Sequence, residues 1–357
     1  MTISLNHHTS FKYILMLCWI CTAAIGYHGF FTNHNLLTIP LVSAISNELI
    51  IFISASVMFI AVCVALFSKP AVSKPLYMLS LIAYVLICLG DVHRIAPYMI
   101  VFYGLFACFI FLQYDRHIFY GAILFVISGL YIFSGFHKIN SHFVTDVAPK
   151  FYFHALPIPF NASIGYGMAI TEVLLGALLL LRATRRTAAT LLICMHLIII
   201  WKLSPWKYGF NYIILPWNIV MISCLGYVIK QSQVVRFKIG SGRRVFTMLA
   251  LFFWAIPLTS QFLAIPENIS LKLYSGKTIT GYLTFTEKIP EFTTIDITPD
   301  SKHMLISLQQ LSMEERGIAF NPEVVCYKRV FSRFRESYPS TNKLYLNPSP
   351  DIIKTIP

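Results

Sequence analysis

The chain has 357 residues, 57% of them hydrophobic and 12% charged, with a mean hydropathy of +0.68. Soluble domains carry about 25% charged residues, so this composition excludes an ordinary water-soluble globule and implies an integral membrane protein. The net charge of +13 comes with neither an aromatic-studded basic patch nor a Gly-rich phosphate loop after a strand. Nucleic acid and nucleotides are thereby set aside, and anionic membrane lipid is the partner the charge implies.

A spanning helix needs about 20 mostly apolar residues. In chain order such runs fall near 11–31, 46–68, 75–92, 98–114, 118–137, 163–181, 187–203, 209–229 and 245–265, which predicts about nine transmembrane helices. The first is too long for a cleavable signal and is interrupted by Tyr13, Trp19, Tyr27 and His28, so it reads as a retained span. It also spells Cys18-Trp-Ile-Cys21 on one helical face. Such cysteines act either as small buried hydrophobes or as a redox pair. The third and fourth runs are weakened by Asp91, His93 and Arg94, and Pro97 breaks the helix there.

Basic residues alternate in density between successive connections. Lys12, Lys69, Lys74, Arg116, Arg182, Arg185, Arg186, Lys230, Arg236, Lys238, Arg243 and Arg244 fall on one side, and Arg94, Lys138, Lys150, Lys202 and Lys207 on the other. The positive-inside rule then predicts a cytoplasmic N-terminus and an exoplasmic tail, and the membrane expected is a bacterial inner (plasma) membrane. Segment 141–161, with Pro149, Pro157, Pro159 and the cluster Phe151-Tyr152-Phe153-His154, is expected to lie in the interface or re-enter.

The texture changes after Ile265. Residues 269–285 alternate apolar and polar around Ser275-Gly276-Lys277 and predict a β-hairpin; 296–308 predicts one or two strands, and 324–336 a helix. The expected architecture is an all-α polytopic membrane bundle over 1–265 with a small C-terminal exoplasmic α+β domain over 266–357. That domain is suited to binding an exoplasmic or periplasmic protein or to covering the outer opening of the bundle.

Charged groups at membrane depth are costly and each is a functional suspect. Asp91, His93 and Arg94 close the third run, and His137 and Lys138 close the fifth. Glu172 lies in the sixth, His196 in the seventh, and Asn211, Trp217 and Asn218 in the eighth. Two readings stand side by side. In one, these groups are interhelical glue, with Glu172 bonded to His196 and Asp91 to Arg94. In the other they line a polar cavity, where a desolvated Lys138 near Arg94 serves as a general base. Lys138 at a helix end also fits a plain interfacial anchor.

Residues 88–227, about 140 of the 357, resemble the horizontally transferred transmembrane domain of the vitamin K-dependent γ-carboxylases. The likeness rests on LYIFSGFHKIN (130–140), on the acidic, Gly-bearing ITEVLLGALLLL, on the central His of CMHLII and on the aromatic-Asn helix that follows. It implies a reduced quinone as cofactor and Lys138 as the base that deprotonates it. His93 then falls in the segment of a second functional histidine, and Asp91, Arg94, His137, Glu172, His196 and Asn218 form the surrounding pocket; no metal is implied. The chain departs from that family in reading His137-Lys138 for a paired lysine and in lacking most of the large exoplasmic region, which makes peptide carboxylation a poor expectation.

GFHKINSHF, the proline-bearing loop and ITEVLLGALLLLRATRRTAATLL are also similar to the DoxX/MauE group of small redox-associated membrane proteins. That likeness implies a non-catalytic accessory role in membrane redox or protein maturation. A transporter ranks third, because no internal repeat is evident.

Overall fold

The computed structural model describes residues 3–31, 36–112, 115–152, 159–203, 212–232, 243–260, 262–263, 269–270, 280–285, 296–297, 304–308, 311–312, 324–347 and 354–356. Phe153, His154, Pro157, Lys207, Asn211, Arg236, Lys238 and the Ser275-Gly276-Lys277 turn, all singled out above, lie outside the described residues.

Every predicted apolar run carries helix among the described residues. The long helices are α1 (Ile3–Ile25), α2 (Glu48–Phe67), α3 (Pro70–Gly90), α4 (Pro97–Leu112), α5 (Arg116–Lys138), α6 (Ala162–Leu180), α7 (Arg185–Leu203) and α8 (Ile214–Gln231). They are followed by α9 (Arg243–Ala250), which runs on through a π-helical turn, Leu251–Ala255, into Ile256–Thr259. Among the described residues, five stretches are long and apolar enough to cross a membrane: α2, Ala71–Gly90 of α3, His117–Lys138 of α5, α6 and α8. Ser10–Ile25 and Pro97–Leu112 are apolar but shorter. The protein is thus mainly helical and of membrane type, with large apolar side chains such as Leu49, Phe52, Ile53, Ile60 and Phe67 left exposed along α2.

The chain divides into two compact units. One comprises Met1–Ile25, Phe59–Leu81 and Ala96–Gly276, the other Gly26–Met58, Ile82–Ile95 and Lys277–Pro357. In the first, α5 is the central element, far more deeply buried than α6. It packs along α6 and touches α4 and α8, while α7 packs on both α6 and α8. Asp115 caps α5, its Oδ1 accepting from the backbone N–H groups of His117 (2.8 Å) and Ile118 (3.1 Å), and Asn161 caps α6 through Ile164 N–H (3.0 Å).

Arg185, counted above among the loop charges, is buried. It donates to the carbonyls of Leu179 (2.7 Å) and Leu180 (2.9 Å) and to the Tyr120 hydroxyl (3.1 Å). The guanidinium thereby satisfies carbonyls left open at the end of α6. Cys18 is buried and Cys21 exposed, and both are free thiols.

In the second unit, α3 ends at Gly90 and a 3₁₀ turn, Val92–Arg94, follows. Asp91 Oδ1 accepts from Ile39 N–H (3.1 Å) and His93 N–H (3.2 Å), and Oδ2 lies 3.6 Å from Arg94 Nε. Among the described residues, five strands form one sheet in the order β2-β3-β1-β4-β5: β1 (Thr280–Phe285), β2 (Asp296–Ile297), β3 (Met304–Ser307), β4 (Thr341–Asn347) and β5 (Lys354–Ile356). Each neighbouring pair is antiparallel, with Leu283 opposite Ile306 on one side and Leu344 on the other.

Of the predicted hairpin over 269–285, residues 271–279 lie outside the described residues, and the described strand, β1, pairs with β3 and β4. Helix α10 (Val324–Ser337) buries Cys326, Tyr327, Val330, Phe331 and Phe334 in the core of this unit. The Tyr327 ring covers Gly281 so closely that a Cβ there would meet ring carbon at 2.3 Å.

Candidate functional site

Two glycines bring α5 and α6 unusually close. A Cβ on Gly135 would stand 2.7 Å from Val173 Cγ2 and 2.8 Å from the Ala169 carbonyl oxygen, and one on Gly176 would stand 2.8 Å from the backbone nitrogen of Ile132. Side chains three or four residues from these contacts therefore reach across without a gap. Lys138 and Glu172 are the pair so placed.

Lys138 is the last residue of α5, and helical side chains lean toward the N-terminus of their helix. Its ammonium accordingly turns back along α5, away from the end of the helix. It donates to Ser134 Oγ at 3.0 Å and to Glu172 Oε2 at 2.5 Å. The two side chains are 13% and 9% exposed, so the ion pair sits largely out of solvent. At the C-terminus of α5, Asn140 Nδ2 donates to the His137 carbonyl (2.8 Å), while Oδ1 accepts from Phe143 N–H (2.9 Å).

Beside this pair runs a second polar chain. The Tyr131 hydroxyl lies 2.6 Å from His196 Nε2, His196 Nδ1 lies 2.5 Å from Asn218 Oδ1, and Asn218 Nδ2 donates to the Ile214 carbonyl at 2.6 Å. Both chains border one cavity of about 60 Å³, whose apolar wall includes Leu130, Met195, Ile199, Trp217 and Met221. Four helices thus supply a basic, an acidic, an imidazole, a phenol and an amide group to one small space.

Of the residues singled out from sequence, Lys138, Glu172, His196 and Asn218 border this cavity, as does Trp217. The expected Glu172–His196 hydrogen bond is not what forms. Lys138 and Tyr131, both from the central helix α5, take those two partners instead. His137 is buried with Nε2 3.4 Å from Ser260 Oγ and does not line the cavity. Asp91, His93 and Arg94 belong to the second unit, where they form the turn described above.

Tyr131 and Ser134 were missed. Their signal was the spacing 131, 134, 138, which puts both on the lysine's face of the helix. Among the described residues, no three His, Cys, Asp or Glu side chains come together as a metal ion would require. No known protein family, characterised protein or solved structure matches the chain.

Proposed function

We propose that the protein is a carboxylase-like membrane enzyme that performs proton transfer on the polar end of a lipid-soluble ligand such as a reduced quinone, with Lys138 as the group that exchanges the proton. The observation that carries this reading is the gathering of Lys138, Glu172, Tyr131, His196 and Asn218 around one cavity. Polar and ionisable groups at membrane depth are expensive and concentrate at sites of function. Here the lysine is turned inward to a carboxylate, which an interfacial anchor has no need to do.

The cavity is less than half the roughly 150 Å³ that holds a benzene ring. It takes one oxygen-bearing end of a ligand and leaves the ring body outside. The same small volume favours a second reading, a DoxX/MauE-like accessory protein in which the polar groups hold the helices together. Lipid extracted from the purified wild-type protein separates the two. A quinone-class lipid in near-stoichiometric amount is the expected result; phospholipid alone would remove the enzyme reading and leave the accessory one.

The reading includes about nine spans, a cytoplasmic N-terminus, a bacterial inner membrane and an exoplasmic 266–357 segment available to a protein partner. The basic cluster at Arg182, Arg185 and Arg186 and the run from Lys230 to Arg244 support that orientation. Reporter fusions placed after Arg244 and after Lys277 are expected to report opposite sides of the membrane. The same side for both would overturn the nine-span topology.

A further inference from the structure

The polar groups around the cavity differ in what they have left to offer a ligand. Asn218 Nδ2 donates to the Ile214 carbonyl, and because a carbonyl only accepts, the amide's orientation is fixed with Oδ1 toward His196. An amide oxygen also only accepts, so His196 Nδ1 carries a hydrogen. Its partners are an amide and a phenol with no carboxylate among them, and buried in that setting the imidazole is neutral. Nε2 is then the lone-pair nitrogen, and the Tyr131 hydroxyl is its donor. The chain is polarised in one direction, from Tyr131 to His196 to Asn218 to the backbone of α8.

Tyr131 has therefore committed its only proton. A hydroxyl has one donor and two acceptor positions, and no other hydrogen bond reaches the Tyr131 oxygen among the described residues. Lys138, also on the border of the cavity, has three N–H bonds, two of them given to Ser134 and Glu172. The cavity thus presents an acceptor at Tyr131 and a donor at Lys138.

We propose that the Tyr131–His196–Asn218 chain makes this cavity selective for a ligand carrying a hydroxyl donor, an alcohol or phenol, over the same skeleton with an ether oxygen. Tyr131 accepts that hydrogen bond without taking the proton, and Asn218 is a positioning residue that acts by holding the His196 tautomer. The inference rests on the cavity being a ligand pocket. Either oxygen can accept from Lys138, but an ether brings no hydrogen to the Tyr131 lone pairs and so lacks that one bond.

The test uses the full-length protein in detergent with two probes of one ring skeleton, phenol and anisole, followed by ligand-observed NMR. Comparing variants in the same detergent cancels partition into micelles. Wild type is expected to bind phenol about tenfold more tightly than anisole, the worth of one well-made hydrogen bond. Tyr131→Phe is expected to bring that ratio to about one while still binding both. Independently, ¹⁵N spectra of the histidines, with His196 identified by the His196→Gln spectrum, should show hydrogen on Nδ1 and none on Nε2. Asn218→Leu should release that preference.

Equal binding of phenol and anisole to wild type, or a hydrogen on Nε2, overturns the selectivity and leaves the pocket reading standing. Binding of neither probe removes both together.

Discussion

Replacing Lys138 by Met is expected to cost about 3–5 kcal/mol of stability, because it leaves the Glu172 carboxylate without its counter-charge in a place where it is 9% exposed. Glu172→Leu is expected to cost a similar amount by orphaning the ammonium. The double variant, Lys138→Met with Glu172→Leu, should recover most of the loss, since a buried ion pair exchanged for apolar side chains of similar volume is often neutral or better. Thermal unfolding of the three variants in one detergent measures this. Two single variants within about 1 kcal/mol of wild type would mean that the pair behaves as a surface bridge, and the inward-turned lysine would lose its significance. The recovery in the double variant also separates stability from activity: a stable protein without Lys138 is the right background in which to look for lost ligand chemistry.

Gly→Ala substitutions in the helices are expected to split by sign. At Gly135 and Gly176 the new methyl meets backbone of the facing helix below 3 Å, so α5 and α6 have to separate, at a cost of about 1–3 kcal/mol each. At Gly167 of α6 and Gly226 of α8 nothing lies within 4 Å of the added Cβ. There alanine is expected to stabilise by about 0.5–1 kcal/mol through helix propensity alone. Unfolding midpoints of the four variants decide the matter. The site should follow the same division: separating α5 from α6 lengthens the Lys138–Glu172 contact, so Gly135→Ala and Gly176→Ala should weaken probe binding while the other two leave it unchanged. Destabilisation at all four positions would show that glycine is needed throughout for some reason other than close approach.

Sequence by itself determined where the helices lie. An apolar run of about 20 residues has no other way to satisfy its backbone in lipid, and that requirement is local to the run. The same holds for α10, whose buried positions 326, 327, 330, 331 and 334 repeat at helical spacing. Strand pairing was decided only in three dimensions. Alternation in 280–285 tells which side chains face inward, but the pairing of β1 with strands about 20 and 60 residues further along the chain is not contained in it. The site divides in the same way. Lys138, Glu172, His196 and Asn218 stood out because polar and charged groups are costly at membrane depth, whereas Tyr131 and Ser134 are unremarkable residues for a membrane helix. Which group meets which was set by the close crossing of α5 and α6 at Gly135 and Gly176 and by the backward lean of the lysine. Glu172 consequently pairs with Lys138, and His196 with Tyr131 and Asn218, because helix contacts and side-chain directions are tertiary quantities that residue spacing along one helix does not contain.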